Sequence, residues 1–95
     1  MSPQISIIVP LYNEEKGFRT LTKRLNDIIE KSDISIEVVL IDDGSTDNTP
    51  ILMKMIALEN KKYQCLFLSR NFGHQTALTA GFINSRGTES VFVID

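Results

Sequence analysis

Residues 36–49 read "IEVVLIDDGSTDNT". The first six are almost continuously apolar and rich in Val and Ile. A strand with one wet face would alternate apolar and polar side chains. A near-continuous run is the pattern of a strand covered on both faces, as in a parallel sheet. Two aspartates and a glycine close the run. Gly44 relaxes the backbone there, and Ser45, Thr46 or Asp47 can cap a following helix. Pro50 fits such a helix only in its first turn, where a missing N–H is harmless. The stretch therefore reads as buried strand, polar turn, helix.

The same grammar recurs on either side. Three further apolar runs, "ISIIV" (5–9), "CLFL" (65–68) and "VFVI" (91–94), read as strands. Helical patterns separate them. Over 14–31, Phe18, Leu21, Leu25, Ile28 and Ile29 recur at spacings of three and four and form one apolar stripe. Lys16, Arg19, Lys23, Asp27 and Glu30 lie mostly off it, on a solvated face. A second pattern over 48–59 carries Leu52, Met55, Ile56 and Leu58, with its methionines as core filler. A third over 74–85 places Ala77, Ala80 and Gly81 on one face, so that this helix can approach a sheet closely. The order β-α-β-α-β-α-β with right-handed crossovers predicts an α/β fold: a Rossmann-like open parallel sheet, strand order 3-2-1-4, helices on both faces.

The bulk numbers limit the function classes. Ninety-five residues are enough for one domain or part of one. A net charge of −2 lacks the basic footprint of a nucleic-acid binder. One cysteine makes no internal disulfide, and Cys65, in a strand, reads as inert core. The start "MSPQISIIVP" has no basic n-region and is no signal peptide. No apolar run approaches the roughly 20 residues that span a bilayer. The sequence stops on the fourth strand, which would be an exposed sheet edge. That predicts a piece of a longer protein, with self-association through the edge.

All strands of a parallel sheet point one way, so "PLYNEE" (10–15), "DDGSTD" (42–47), "SRNFGHQ" (69–75) and Asp95 fall together at the carboxyl edge. Open α/β sheets bind ligands in the crevice there, where strand order reverses. That crevice is expected between strands one and four, lined by "PLYNEE" and Asp95 with "DDGSTD" beside it. The phosphate-cradling patterns G-x-G-x-x-G and G-x-x-x-x-G-K-[ST] are missing, so dehydrogenase and P-loop readings fail. A receiver-type phosphorylation domain would need its acidic pair after strand one. Asp42 and Asp43 are adjacent, so their side chains point apart. One can face a base N–H or ribose hydroxyl while the other braces the turn, or both can serve the turn alone. Tyr12 can stack on a base, with Pro10 fixing the chain beside it. Glu14 can accept from the base or cap the first helix. Arg70 is the candidate ligand-facing cation. Asp95 suits a hard divalent cation on a diphosphate, though one carboxylate needs partners.

In order and spacing, "ISIIVPLYNEE", "EVVLIDDGSTDNT", "LSRNFGHQTALTAGF" and "VFVID" resemble the start of family 2 glycosyltransferases with the GT-A fold. The third motif is most similar to the polyprenyl-phosphate branch, which includes dolichol-phosphate mannose synthases and bacterial undecaprenyl-phosphate sugar transferases. The resemblance implies that Pro10, Tyr12 and Glu14 hold the nucleotide, that Asp42 reads base or ribose, and that Asp43 supports the turn. It implies that residues 70–77, Arg70 and Gly73 among them, line the nucleotide-sugar pocket. Asp95 becomes the first Asp of a D-x-D motif binding Mg²⁺ or Mn²⁺. The implied parent enzyme transfers a sugar from a UDP- or GDP-linked donor to a polyprenyl phosphate at the cytoplasmic side of a membrane. Its catalytic residues and membrane-associating helices would lie downstream, leaving these 95 residues soluble and inactive alone. His74 departs from the Lys that many branch members carry; it either donates a hydrogen bond to the ligand, or merely caps its helix or faces solvent. A nucleotide-binding regulatory module and a purely structural α/β domain are the competing readings.

Overall fold

The apolar runs form four parallel strands, and the periodic segments between them form three helices. The computed structural model describes residues 2–93. In chain order the elements are β1 (Ile5–Leu11), α1 (Phe18–Lys31), β2 (Ile36–Asp42), α2 (Thr49–Glu59), β3 (Tyr63–Phe67), α3 (His74–Asn84) and β4 (Glu89–Phe92). The sheet order is β3-β2-β1-β4, as the element pattern predicts. β1 pairs with β2 from Ile5↔Ile36 to Leu11↔Asp42, and with β4 from Ile5↔Glu89 to Ile8↔Phe92. The chain reverses its winding between β1 and β4.

Side-chain alternation along the central strands builds two cores. Ile7, Val9 and Leu11 join Val38 and Leu40 on one face, under Phe18, Leu25 and Ile29 of α1 and Met53 of α2. Ile8, Val39 and Ile41 point to the other face and meet Ala77 of α3. Every residue of β2 is buried, which is why its sequence does not alternate. Gly81 lets α3 lie close: a Cβ there would stand 2.5 Å from Ile8 Cγ2 and 2.6 Å from Ile41 Cδ1.

Two helix faces differ from expectation. α1 turns Thr22 inward, while Ile28 is half exposed. In α2 the inward stripe runs Thr49, Leu52, Met53, Ile56, so Met53 is the core methionine. Met55 and Leu58 face outward, at 52% and 87% exposure. Both sequences allow either rotation; the sheet beneath selects the face that closes over Val38 and Leu40. Cys65 is half-buried rather than buried, and its Sγ donates to the Met53 carbonyl at 3.4 Å. Burial pushes its thiol up to about 11, in keeping with an unreactive thiol.

The connection before β4 is more than a plain surface loop. Glu37, buried in β2, accepts from Ser6 Oγ at 2.6 Å and from the Arg86 backbone N–H at 2.6 Å. Arg86 Nε lies 3.3 Å from the same carboxylate, and Gly87 N–H donates to Ser6 Oγ at 2.8 Å. Burial alone would raise the Glu37 carboxyl. Hydrogen bonds from Ser6 and Arg86, with the guanidinium charge, outweigh it and hold the group below the usual carboxylate value. These bonds seat the turn that starts β4 beside β1.

Candidate functional site

The loops at the carboxyl edge are bonded to each other before they meet any ligand. Asn13, after β1, adopts a left-handed backbone with φ of 51°. Among non-glycine residues Asn is one of the types that tolerates this region. Its Oδ1 accepts from the backbone N–H groups of Thr46 at 2.8 Å and Asp47 at 3.3 Å. In return the Asn13 N–H donates to Ser45 Oγ at 2.8 Å, and the Glu14 N–H to Thr49 Oγ1 at 2.9 Å. Glu15 N–H donates to Asp47 Oδ2 at 3.1 Å, while the Glu15 carboxylate accepts from Asn48. "YNEE" and "STDNT" thus form one lattice across the ends of β1 and β2.

Asp47 accepts from Thr49 N–H at 2.9 Å and Thr49 Oγ1 at 2.6 Å, two residues on; the N-cap of α2 is Asn48 rather than Ser45, Thr46 or Asp47, and it makes no side-chain cap bond. Desolvation would raise the Asp47 carboxyl, but these bonds and the one from Glu15 leave it lowered.

The adjacent aspartates divide as their alternation requires. Asp42, at the end of β2, accepts from the Ser45 N–H at 3.3 Å through both oxygens and so braces its own turn. Asp43 reaches the third connection instead. Its Oδ1 accepts from Phe72 N–H at 2.9 Å and its Oδ2 from Gly73 N–H at 3.1 Å. The turn-bracing carboxylate is therefore Asp42, and Asp43 fixes the start of α3. Gly44, at φ of 74°, makes this junction possible; a Cβ there would overlap the Arg70–Asn71 backbone.

A small cleft of about 80 Å³ opens over this junction, walled among the described residues by Pro10, Leu11, Tyr12, Glu14, Asp43 and His74. It joins the ends of β1 and β2 to the first residue of α3. Among the described residues Pro10, Tyr12, Glu14 and Asp43 line it, and no residue of β4, beside which the crevice was expected, is among them. Leu11 and His74 join them. Asp42 is buried behind the turn. Arg70 lays its guanidinium over the Phe72 ring, 4.8 Å from the centroid, and is not part of the wall. Gly73 stands at the N-cap of α3 with φ of 98° and binds Asp43. Asp95 lies outside the described residues.

Asn13, Glu15, Ser45, Asp47 and Thr49 were not singled out by sequence as site-forming. An Asn between a strand and two glutamates, facing a Ser-Thr-Asp-Asn-Thr string, was the available signal. It required knowing that the loops are adjacent. Chemically, the wall offers an aromatic face, the Glu14 carboxylate and an imidazole; Asp43 is buried and both its oxygens accept from the Phe72 and Gly73 N–H groups. That set can stack on a flat ring and accept from N–H or hydroxyl groups. Among the described residues no group of three or more His, Cys, Asp or Glu can hold a metal ion. No helix among them is long and apolar enough to cross a membrane.

Known proteins match this sequence and this fold. The glycosyl transferase family 2 profile matches residues 6–95. The undecaprenyl-phosphate 4-deoxy-4-formamido-L-arabinose transferase of Aeromonas hydrophila subsp. hydrophila is 36% identical over 84 residues, 87% of this chain and 26% of that protein. Among solved structures, S. aureus TarS (residues 1–349) superposes with TM-score 0.79 at 29% identity, over 95% of this chain and 26% of that one. TarS is also known in complex with UDP and with UDP-GlcNAc, at TM-scores of 0.78 and 0.76. The mannosyltransferase PcManGT of Pyrobaculum calidifontis, in complex with GDP-Man and Mn²⁺, superposes at 0.67 with 27% identity, over 90% of this chain and 25% of that one. The chain thus spans about a quarter of the length of each. The profile covers nearly the whole sequence, and the chain belongs to glycosyl transferase family 2.

Proposed function

We propose that these residues form the nucleotide-binding half of a donor site for a nucleoside-diphosphate sugar. The observation that carries the reading is the cleft walled by Tyr12, Glu14 and Asp43 at the carboxyl ends of β1 and β2. Tyr12 is 45% exposed and supplies a ring for a base to stack on. Glu14 accepts from base or ribose. Asp43 keeps the third connection against the cleft. The neighbours named with UDP, UDP-GlcNAc and GDP-Man support a nucleotide-sugar ligand.

The acceptor in this reading is a polyprenyl phosphate, supported by the name of the Aeromonas hydrophila relative. A phosphate oxygen of the lipid attacks the anomeric carbon. The bond from that carbon to the diphosphate oxygen breaks, and the nucleoside diphosphate leaves with the electron pair. Pro10, Tyr12 and Glu14 would act here by orientation, fixing the nucleoside so that the anomeric carbon is presented to the acceptor. Such an enzyme works where its lipid is, at the cytoplasmic side of a membrane.

A divalent cation, Mg²⁺ or Mn²⁺, would neutralise the leaving diphosphate, and PcManGT is named with Mn²⁺. The described residues do not by themselves build such a site. Asp95 stays the proposed ligand.

Isothermal titration calorimetry with UDP and GDP, each with Mg²⁺, Mn²⁺ or neither, tests the donor reading. Saturable binding of one nucleotide by the folded chain is expected. Absence of binding under all conditions, with circular dichroism showing an intact fold, would sink it.

A further inference from the structure

The outward side of α1 and α2 carries two features that the fold does not require. The first is apolar. Ile51, Met55 and Leu58 recur along α2 at spacings of four and three, so they share one side of it. All three are more than half exposed. The sheet is covered by other residues of the same helix, Met53 and Ile56 among them.

The second feature is charge. Lys16 precedes α1, and Arg19, Lys23 and Arg24 follow within its first two turns. The first turn holds no acidic residue. A helix dipole favours anions at that end, so this order opposes α1 rather than stabilising it. Nor are the cations spent on ion pairs. Among the described residues the salt bridge joins Arg86 to Glu37, at the other edge of the sheet.

The two features adjoin. A groove between the helices is floored by Phe18, Leu52 and Ile56, with Lys16 and Arg19 contributed by α1 and its approach and Met55 by α2. On the far side of the apolar stripe stands Lys54, three residues from Ile51 and four from Leu58. Its Nζ lies 5.3 Å from the centre of the exposed Phe67 ring. The stripe therefore has cations on both sides. Glu15 and Glu59 also line the groove. The Glu15 carboxylate already accepts from Asn48, and Glu59 closes the far end of α2. Asp27 and Glu30 belong to the second half of α1. The positive end is thus the one beside the donor cleft, since Lys16 is two residues from Glu14.

We propose that this side of α1 and α2 rests on a bilayer of anionic lipids, with Ile51, Met55 and Leu58 entering the headgroup layer and Lys16, Arg19 and Lys54 meeting lipid phosphates. Charge selects the occupant: an apolar stripe edged by unpaired cations is the pattern of a surface lying in an anionic interface. The exposed Phe82 and Phe92 make another apolar area, but no lysine or arginine lines the cleft they share. The inference rests on the reading above for its membrane and adds the face that meets it. It brings the start of α1, and the donor cleft beside it, to the surface that holds lipid phosphates.

Cosedimentation of the 95-residue chain with sucrose-loaded vesicles tests this. Vesicles of equal parts phosphatidylcholine and phosphatidylglycerol should bind it, and phosphatidylcholine alone should not. Added salt should release it, because exposed charges are screened. Lys16→Gln with Arg19→Gln should weaken binding roughly tenfold, and so should Met55→Gln with Leu58→Gln. These four side chains are exposed, so circular dichroism and UDP binding should stay as in the wild type.

No binding to the anionic vesicles by the folded chain overturns the inference, as does binding that either double variant leaves intact. A chain that binds UDP but not vesicles loses this face and keeps the donor site. A chain that binds vesicles through these residues but no nucleotide keeps the face and loses the donor site. If Met55→Gln with Leu58→Gln abolishes self-association in sedimentation velocity and leaves vesicle binding unchanged, the stripe belongs to a second copy and the inference falls.

Discussion

At the scale of single residues, neighbours in one motif do unlike work, and substitution separates them. Tyr12 is half exposed on the cleft wall, and among the described residues no hydrogen bond ties its ring to the loop lattice. Tyr12→Ala should therefore leave the urea midpoint unchanged and weaken nucleotide binding by roughly tenfold, the loss of one stacked base. Tyr12→Phe should restore most of the affinity. Asn13, next in sequence, should behave in the opposite way. Its Oδ1 closes the loop lattice onto Thr46 and Asp47, and its backbone sits at φ of 51°. Asn13→Ala removes the acceptor and keeps the strain, and should cost about 1–2 kcal/mol in urea unfolding at unchanged m-value. Asn13→Gly relieves the strain alone and should recover part of that loss. A reversal of these two patterns would mean that Asn13, not Tyr12, meets the ligand.

At the scale of elements, α3 and the connection into β4 are each fixed to the buried interior of the sheet. Over the central strands, α3 is seated by Gly81 against Ile8 and Ile41. Gly81→Ala puts a methyl into those side chains and should destabilise by about 1–3 kcal/mol, even though alanine is the better helix former. A stabilised Gly81→Ala would show that α3 can ride outward at little cost. Glu37 fastens the connection into β4. Its carboxyl is lowered on folding, so its contribution is present above the unfolded value near 4.3 and is lost as pH falls through the lower folded value. Chemical denaturation from about pH 7 down to about pH 3 should show stability falling at the acidic end. Glu37→Gln should flatten that fall and lower the neutral-pH stability. An unchanged acid limb in the variant would transfer the effect to other carboxylates, Asp47 first among them.

At the scale of the whole molecule, what the sequence made legible was whatever depends on period and order. The four apolar runs, the three helical patterns and the 3-2-1-4 order follow from local composition and the handedness of crossovers. Helix rotation was less legible: in α2, Leu52 and Ile56 are shared by two candidate faces, and packing on the sheet decides for Met53 over Met55. The site was legible as a location and in four of its wall residues, Pro10, Tyr12, Glu14 and Asp43. The division of labour between Asp42 and Asp43 was not, because it depends on where residues 72 and 73 lie, thirty positions away. Among the described residues, β4 pairs on one side only, with β1. Val91 and Phe92 are about half exposed on its two faces, and the exposed Phe82 ring of α3 lies 6.2 Å from that of Phe92. An unpaired strand with apolar side chains is a template for another strand. The 95-residue chain should therefore associate with itself in a concentration-dependent way, β4 against β4 of a second copy. Sedimentation velocity over a concentration series should show the sedimentation coefficient rising. Val91→Lys places a charge on this edge at a position that is already half exposed, and should return the chain to a monomer with its circular dichroism unchanged. A monomer at all concentrations, or association that Val91→Lys leaves intact, would move the sticky surface away from β4. The outward-facing Ile51, Met55 and Leu58 of α2 are then the next surface to substitute.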